Sequence, residues 1–115
     1  MTRGLIAVLL LGCGSVAQAE ELTSPLEAKH LHNARQVTSG FTKAGEGYFS
    51  PDGQEIVYQA VPRGYPFYQI YVQPIDERTP RLLSTGRGRT TCAYFSRDGK
   101  QILFSSAHTH PELAL

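Results

Sequence analysis

A chain of 115 residues with 41% apolar and 18% charged side chains is long enough for one small domain, and its composition excludes both a disordered polar tract and a collagen repeat. Eleven Lys and Arg against ten Asp and Glu leave almost no basic surplus. Charge therefore offers no reason to expect binding to nucleic acid or to an anionic membrane surface.

Residues 1–19 read as a secretory signal peptide. Arg3 supplies the positive start, Leu5 to Leu11 is an uninterrupted apolar run, and Ala17-Gln18-Ala19 is a small-x-small cleavage site before Glu20. The apolar run is too short to span a bilayer. Leu10-Leu11-Gly12-Cys13 also resembles a bacterial lipobox, in which the cysteine is acylated and becomes the new N-terminus, so Cys13 is a candidate lipid anchor and the route to any membrane association. Either processing route predicts a protein outside the cytoplasm: periplasmic or secreted, or else lipid-anchored in the cell envelope. Cleavage after Ala19 removes Arg3 and no acid, which leaves a net charge of zero with histidine neutral. It also leaves Cys92 as the single thiol, to be read as a small buried hydrophobe or as half of a bridge to another chain.

Residues 20–34 form an N-terminal segment. Ser24, Pro25 and Glu27 match an N-cap, a first-turn proline and a capping-box acid, which predicts a short helical turn over Pro25 to Lys29. Leu31 to Thr38 fits a strand, with Leu31 and Val37 on one face.

From Arg35 the chain repeats itself. Tyr48-Phe49-Ser50-Pro51-Asp52-Gly53 running into Ile56-Val57-Tyr58 returns 46 residues later as Tyr94-Phe95-Ser96-Arg97-Asp98-Gly99 running into Ile102-Leu103-Phe104. The same offset pairs Arg35 with Arg81 and Gly40 with Gly86, so the match extends well beyond one hexamer. Each copy is an apolar run, an Asp-Gly turn and a second apolar run, the pattern of a β-hairpin. Glycine accepts the positive φ of a tight reversal, and aspartate hydrogen-bonds the backbone of its own turn, so Asp52, Gly53, Asp98 and Gly99 are structural turn residues.

Strands are predicted at Gly45 to Phe49, Ile56 to Ala60, Gln69 to Gln73 and Arg81 to Ser84, then at Thr91 to Phe95 and Gln101 to Ser105. Pro62, Gly64 and Pro66 predict an exposed, unpaired loop over Val61 to Pro66. A period in the forties with several short strands and no long 3.6-residue periodicity is the range of β-propeller blades. The expected fold is therefore all-β: antiparallel four-stranded blades of a propeller, incomplete at about one and a half blades, in residues 35–115, with repeats over 35–80 and 81–115. Gln36 to Ser39 would be the leading strand that completes a last blade. Taken alone, such a chain leaves ladder edges unpaired, which promotes aggregation and predicts poor solubility.

Phe49-Ser50-Pro51-Asp52-Gly53, Ile56-Val57-Tyr58 and Ile70-Tyr71-Val72 resemble the WD40-like repeat of TolB-type β-propellers, whose blades carry a Trp-Ser-Pro-Asp-Gly turn and a later Ile-Tyr-Val strand. This chain departs from that pattern in having phenylalanine for tryptophan in both copies and Arg97 for proline in the second. The resemblance implies a non-catalytic module, without a cofactor, that binds a protein partner in the cell envelope. Similar propellers also stand at the N-terminus of exported peptidases of the prolyl-oligopeptidase or zinc aminopeptidase type, which is the alternative reading, and fold alone does not choose between them.

Few residues suggest chemistry. His30 with His32, and His108 with His110, form His-x-His pairs, and i, i+2 residues share one face of a strand, so each pair offers two imidazoles to a metal. Glu112 or Cys92 could add a ligand, but spacing without a third fixed ligand leaves His108 and His110 weak metal candidates, and solvated histidines are the ordinary outcome outside the repeated core. Gly86-Arg87-Gly88-Arg89 lacks the ending of a phosphate loop and precedes a strand, so Arg87 and Arg89 read as solvated arginines of an inter-strand loop, open to an acidic partner. Tyr65, Phe67 and Tyr68 beside the Pro-Gly loop are a candidate contact surface, or else fold back over the sheet. Ser50 and Ser96 lie in turns and not in a nucleophile elbow, so no catalytic residue is assigned.

Overall fold

The computed structural model describes residues 26–110. The signal segment, Cys13, Ser24, Pro25 and Glu112 lie outside the described residues. The chain divides after Arg35 into two compact units. In the first, the predicted helical turn is a single 3-10 turn at Glu27–Lys29, in which the Glu27 carbonyl accepts the N–H groups of His30 and Leu31, both at 2.8 Å.

The second unit is antiparallel β-sheet. Strands β1 (Phe41–Phe49), β2 (Glu55–Pro62), β3 (Gln69–Pro74) and β4 (Arg81–Leu82) form one four-stranded sheet in chain order, and β5 (Thr90–Phe95) pairs with β6 (Ile102–Ser106) in a second sheet. The two sheets meet through β5, which lies against β1, β2 and β3. Val57, Ile70 and Ala93 are fully buried in the seam, with Tyr48, Leu83, Phe95, Ile102 and Phe104 packed around them. Burying one Val or Ile side chain stabilises by about 1.5–3 kcal/mol, so the seam contributes several kcal/mol of apolar gain to the unit.

The other face of the first sheet has an aromatic and amide core. Phe41 packs on Tyr71 with ring centroids 4.7 Å apart and edge-on to Tyr58 at 6.0 Å. The Tyr58 hydroxyl donates to Gln73 Oε1 at 2.7 Å, and Gln73 Nε2 donates to the carbonyls of Val37 and Glu77, both at 3.1 Å. Burial pushes the Tyr58 hydroxyl pKa up to about 12, so it remains a donor at any physiological pH.

The two hairpin turns carry the same bonds 46 residues apart. Ser50 Oγ donates to Asp52 Oδ1 at 2.6 Å and accepts the Glu55 N–H at 2.9 Å, while Asp52 Oδ1 accepts the Gln54 N–H at 3.0 Å. In the second turn Ser96 Oγ donates to Asp98 Oδ1 at 2.6 Å and accepts the Gln101 N–H at 3.0 Å, while Asp98 Oδ1 accepts the Lys100 N–H at 3.1 Å. Gly53 and Gly99 take φ of 72° and 69°, as the reversal requires.

The repetition continues into a backbone irregularity that composition does not show. β1 slips register between Gly45 and Tyr48, and β5 slips between Thr91 and Tyr94. The bulged residues Glu46 and Cys92 occupy equivalent positions and take φ of 49° and 57°. Cys92 is consequently exposed, with its N–H directed at Gln59 Oε1, and the expectation of a buried thiol is corrected: the bulge turns its side chain outward while Ala93 goes into the seam.

Other expectations change at the ends of elements. Among the described residues, 31–40 pair with no strand: the run Leu31 to Thr38, expected as a strand, is irregular, and the Val37 carbonyl takes a side-chain amide in place of a ladder partner. β2 continues to Pro62, opposite Phe41, into the segment expected to be unpaired. Proline is tolerated there because β3 begins only at Gln69, opposite Ala60, so β2 has only one neighbour beyond that point. β4 stops at Leu82 because Leu83 and Ser84 both donate their N–H to the Ile70 carbonyl, and the Ser84 hydroxyl accepts the Ile70 N–H in the ladder's place.

In both turns the serine hydroxyl and then the backbone N–H stabilise the ionised aspartate, holding Asp52 and Asp98 below the usual carboxylate range. A pKa depressed by folding contributes stability above the ordinary carboxylate range, and that contribution is lost as pH falls through the folded-state values. Ser50→Ala is expected to raise the Asp52 midpoint toward its ordinary value and leave Asp98 unchanged in an NMR titration of the side-chain carboxyls. Movement of both, or of neither, would contradict the turn network.

Candidate functional site

Two loops converge at one end of the unit. The loop after β2 carries Tyr65, Phe67 and Tyr68, and the loop before β5 carries Arg87, Gly88 and Arg89. The buried carboxamide of Gln69 joins them: its Nε2 donates to the Gly88 carbonyl at 2.6 Å and the Tyr68 carbonyl at 2.9 Å, and its Oε1 accepts from Ser84 Oγ at 2.7 Å. The Thr90 N–H and hydroxyl both reach the Tyr68 carbonyl, at 3.0 and 3.1 Å, and the Tyr65 hydroxyl donates to Gly88 at 3.2 Å.

This polar frame sets out an aromatic and cationic surface. Phe67 meets Tyr65 edge-on at 6.0 Å, and the Arg89 guanidinium lies over the Phe67 ring at 5.1 Å. On the neighbouring strand, Lys43 Nζ stands 4.9 Å from the Tyr68 ring centre. Such contacts stabilise by about 0.5–1 kcal/mol each at exposed sites, enough to orient a long side chain without fixing it. The three aromatics are half-buried, so they neither stand free nor fold away completely. Arg89 is held over a ring where the sequence suggested a freely solvated arginine. Arg87 is exposed, with its backbone tied to Thr85.

Sequence reasoning found the aromatics and both arginines but missed Lys43, Gln69, Ser84 and Gly88. Lys43 has no local signal, since only the pairing of β1 with β2 brings it alongside. Gly88 was legible as a glycine between two arginines, but its reason is tertiary. A methyl group there would stand 2.8 Å from His108 Cα and 2.9 Å from the Ala107 carbonyl carbon, and its φ is +67°.

The remaining candidates are not brought into a reactive arrangement. Among the described residues no group of three or more His, Cys, Asp or Glu side chains is placed to hold a metal ion. His108 Nδ1 lies 2.7 Å from Ser106 Oγ, which also accepts the His108 N–H at 3.3 Å, so this pair closes the turn after β6. His110 is exposed, as are His30 and His32 in the first unit. Ser50 and Ser96 are committed to their turns. Tyr48 and Tyr94, equivalent residues of the two copies, stack with centroids 4.0 Å apart, and hydrogen bonding to Tyr94 is the main cause that pushes the Tyr48 pKa up to about 12. The converging loops thus present aromatic faces and cations on a braced polar frame.

Gly88→Ala is expected to lower stability by about 1–3 kcal/mol in a urea titration, from strain at positive φ together with the backbone contact. Gly86→Ala serves as the comparison, because it shares the strain, with φ of +78°, but meets only Leu82 Cδ2 at 3.6 Å. Equal losses at the two positions would show that the Gly88 contact has no energetic weight. No family model matches this chain, and neither a curated protein nor a solved structure matches it.

Proposed function

We propose that this chain is an exported, non-catalytic β-propeller segment of the TolB-like kind that works by binding a protein partner at the bacterial cell envelope. The observation that carries the reading is the second hairpin, which repeats the turn bonds, the bulge and the ladder register of the first at an offset of 46 residues. A four-stranded antiparallel meander in chain order, packed face to face on the start of its own repeat, is the arrangement a blade adopts beside its neighbour. Export is supported by Arg3, the Leu5 to Leu11 run and Ala17-Gln18-Ala19, with Cys13 as the alternative anchor. Binding is supported by the Tyr65, Phe67 and Tyr68 surface with Lys43 and Arg89 over its rings, a composition that favours a partner with acidic and apolar side chains.

Two measurements test this. A fusion to a phosphatase active only outside the cytoplasm is expected to be active, and to lose activity when residues 5–11 are deleted. Activity that survives the deletion would refute export through this segment. A photo-crosslinking side chain at position 67 is expected to capture one discrete envelope protein, with capture reduced about tenfold by Arg89→Glu. Capture unaffected by the charge reversal, or no capture at all, would remove this surface from the binding role.

A further inference from the structure

The two copies of the repeat are equivalent in sequence and bonding but not in burial. Val57 is 0% exposed in the seam between the sheets, whereas its equivalent Leu103 is 77% exposed. Phe95 packs against the seam, whereas its equivalent Phe49 is 65% exposed. Tyr94 stands opposite Leu103 in the ladder and is itself half exposed. The seam therefore joins two different faces of one unit, the Val57 face of the first copy and the Phe95 face of the second. Among the described residues this leaves the Leu103 face of the second copy open, while on the first copy's remaining face Tyr58 and Gln73 are already buried and Phe49, at the end of β1, is the exposed part.

We propose that the outer face of the second sheet, centred on Leu103 and Tyr94, binds the Phe49 face of a second copy of this chain, head to tail. This contact would continue, between chains, the interface already formed within one. A groove of about 580 Å³ lined by Tyr94, Phe95, Ile102 and Leu103 marks the receiving surface. Charge favours the same orientation. The first turn carries Asp52 and Glu55 and no base, while the second carries Arg97 and Lys100 against Asp98 alone. Within the chain these turns are neighbours, with Glu55 and Lys100 lining one groove. A second copy seated in the same way would set its acidic first turn beside the basic second turn. Because the contact joins unlike faces, each added chain presents a new receiving face, and growth ends only if a ring closes.

Sedimentation velocity on the purified chain tests this. The weight-average mass is expected to rise with concentration and to pass that of a dimer. Leu103→Glu and Phe49→Lys each bury an unpaired charge of the sign carried by the facing turn, and each is expected to weaken self-association by about tenfold or more. Both positions are exposed, so neither change should disturb the fold, and the mixture of the two variants serves as an internal check. The Leu103→Glu chain keeps an intact Phe49 face and the Phe49→Lys chain keeps an intact Leu103 face, so the mixture should form a dimer and stop there. A wild-type chain that stays monomeric at every concentration would overturn the proposal. So would variants that associate as the wild type does, or a mixture that remains monomeric.

Discussion

The seam between the two sheets is the constraint on which the second unit depends. Neither sheet can bury its apolar residues alone: among the described residues the second comprises two strands, and an isolated hairpin is marginal in water. Val57 and Ile70 are withdrawn from solvent because β5 lies across them, and Ala93 is small enough to let it approach. The bulge at Cys92 belongs to the same solution, since it places Ala93 inward and the thiol outward. A repeat of this kind gains its stability at the contact between copies more than inside any one of them.

The loop surface inherits its order from that seam. Gln69 opens β3, whose next residue Ile70 is at the centre of the core, so the carboxamide that bridges the two loops is anchored one residue from a fully buried side chain. Gly88 is pressed against the chain that leaves β6. The aromatic and cationic groups are thus carried on loops, where binding residues are commonly found, but on loops whose backbone bonds are satisfied by buried partners. No buried side-chain nitrogen or oxygen among the described residues lacks a hydrogen-bond partner.

The all-β class, the six strands and both turns were legible in the sequence because each rests on local physics: β-branched and aromatic runs, and an Asp-Gly reversal braced by serine. The parts that were not legible depend on distant partners. Nothing near Val37 announces that its carbonyl will be taken by Gln73, so a strand-like run became an unpaired segment. The loop prolines suggested a break, yet Pro62 extends a strand because one of its neighbours does not reach that far. The positive φ at Glu46 has glycines on either side as a hint, while Cys92 has none and emerges only by comparing the copies. Of the candidate site, the aromatic loop and the arginines were found by residue type, and the amide frame that orders them was not.

The difference between Pro51 and Arg97 has an outcome for the order of events in folding. The hydrogen bonds of the two turns are the same, but proline restricts φ before any bond forms, while arginine leaves the unfolded loop its full range. The earlier hairpin therefore surrenders less chain entropy on closing, and it is the better template. It can assemble first and offer Val57 and Ile70 as a ready surface on which the later, looser copy condenses, so that structure spreads from the amino-terminal repeat toward the carboxyl end.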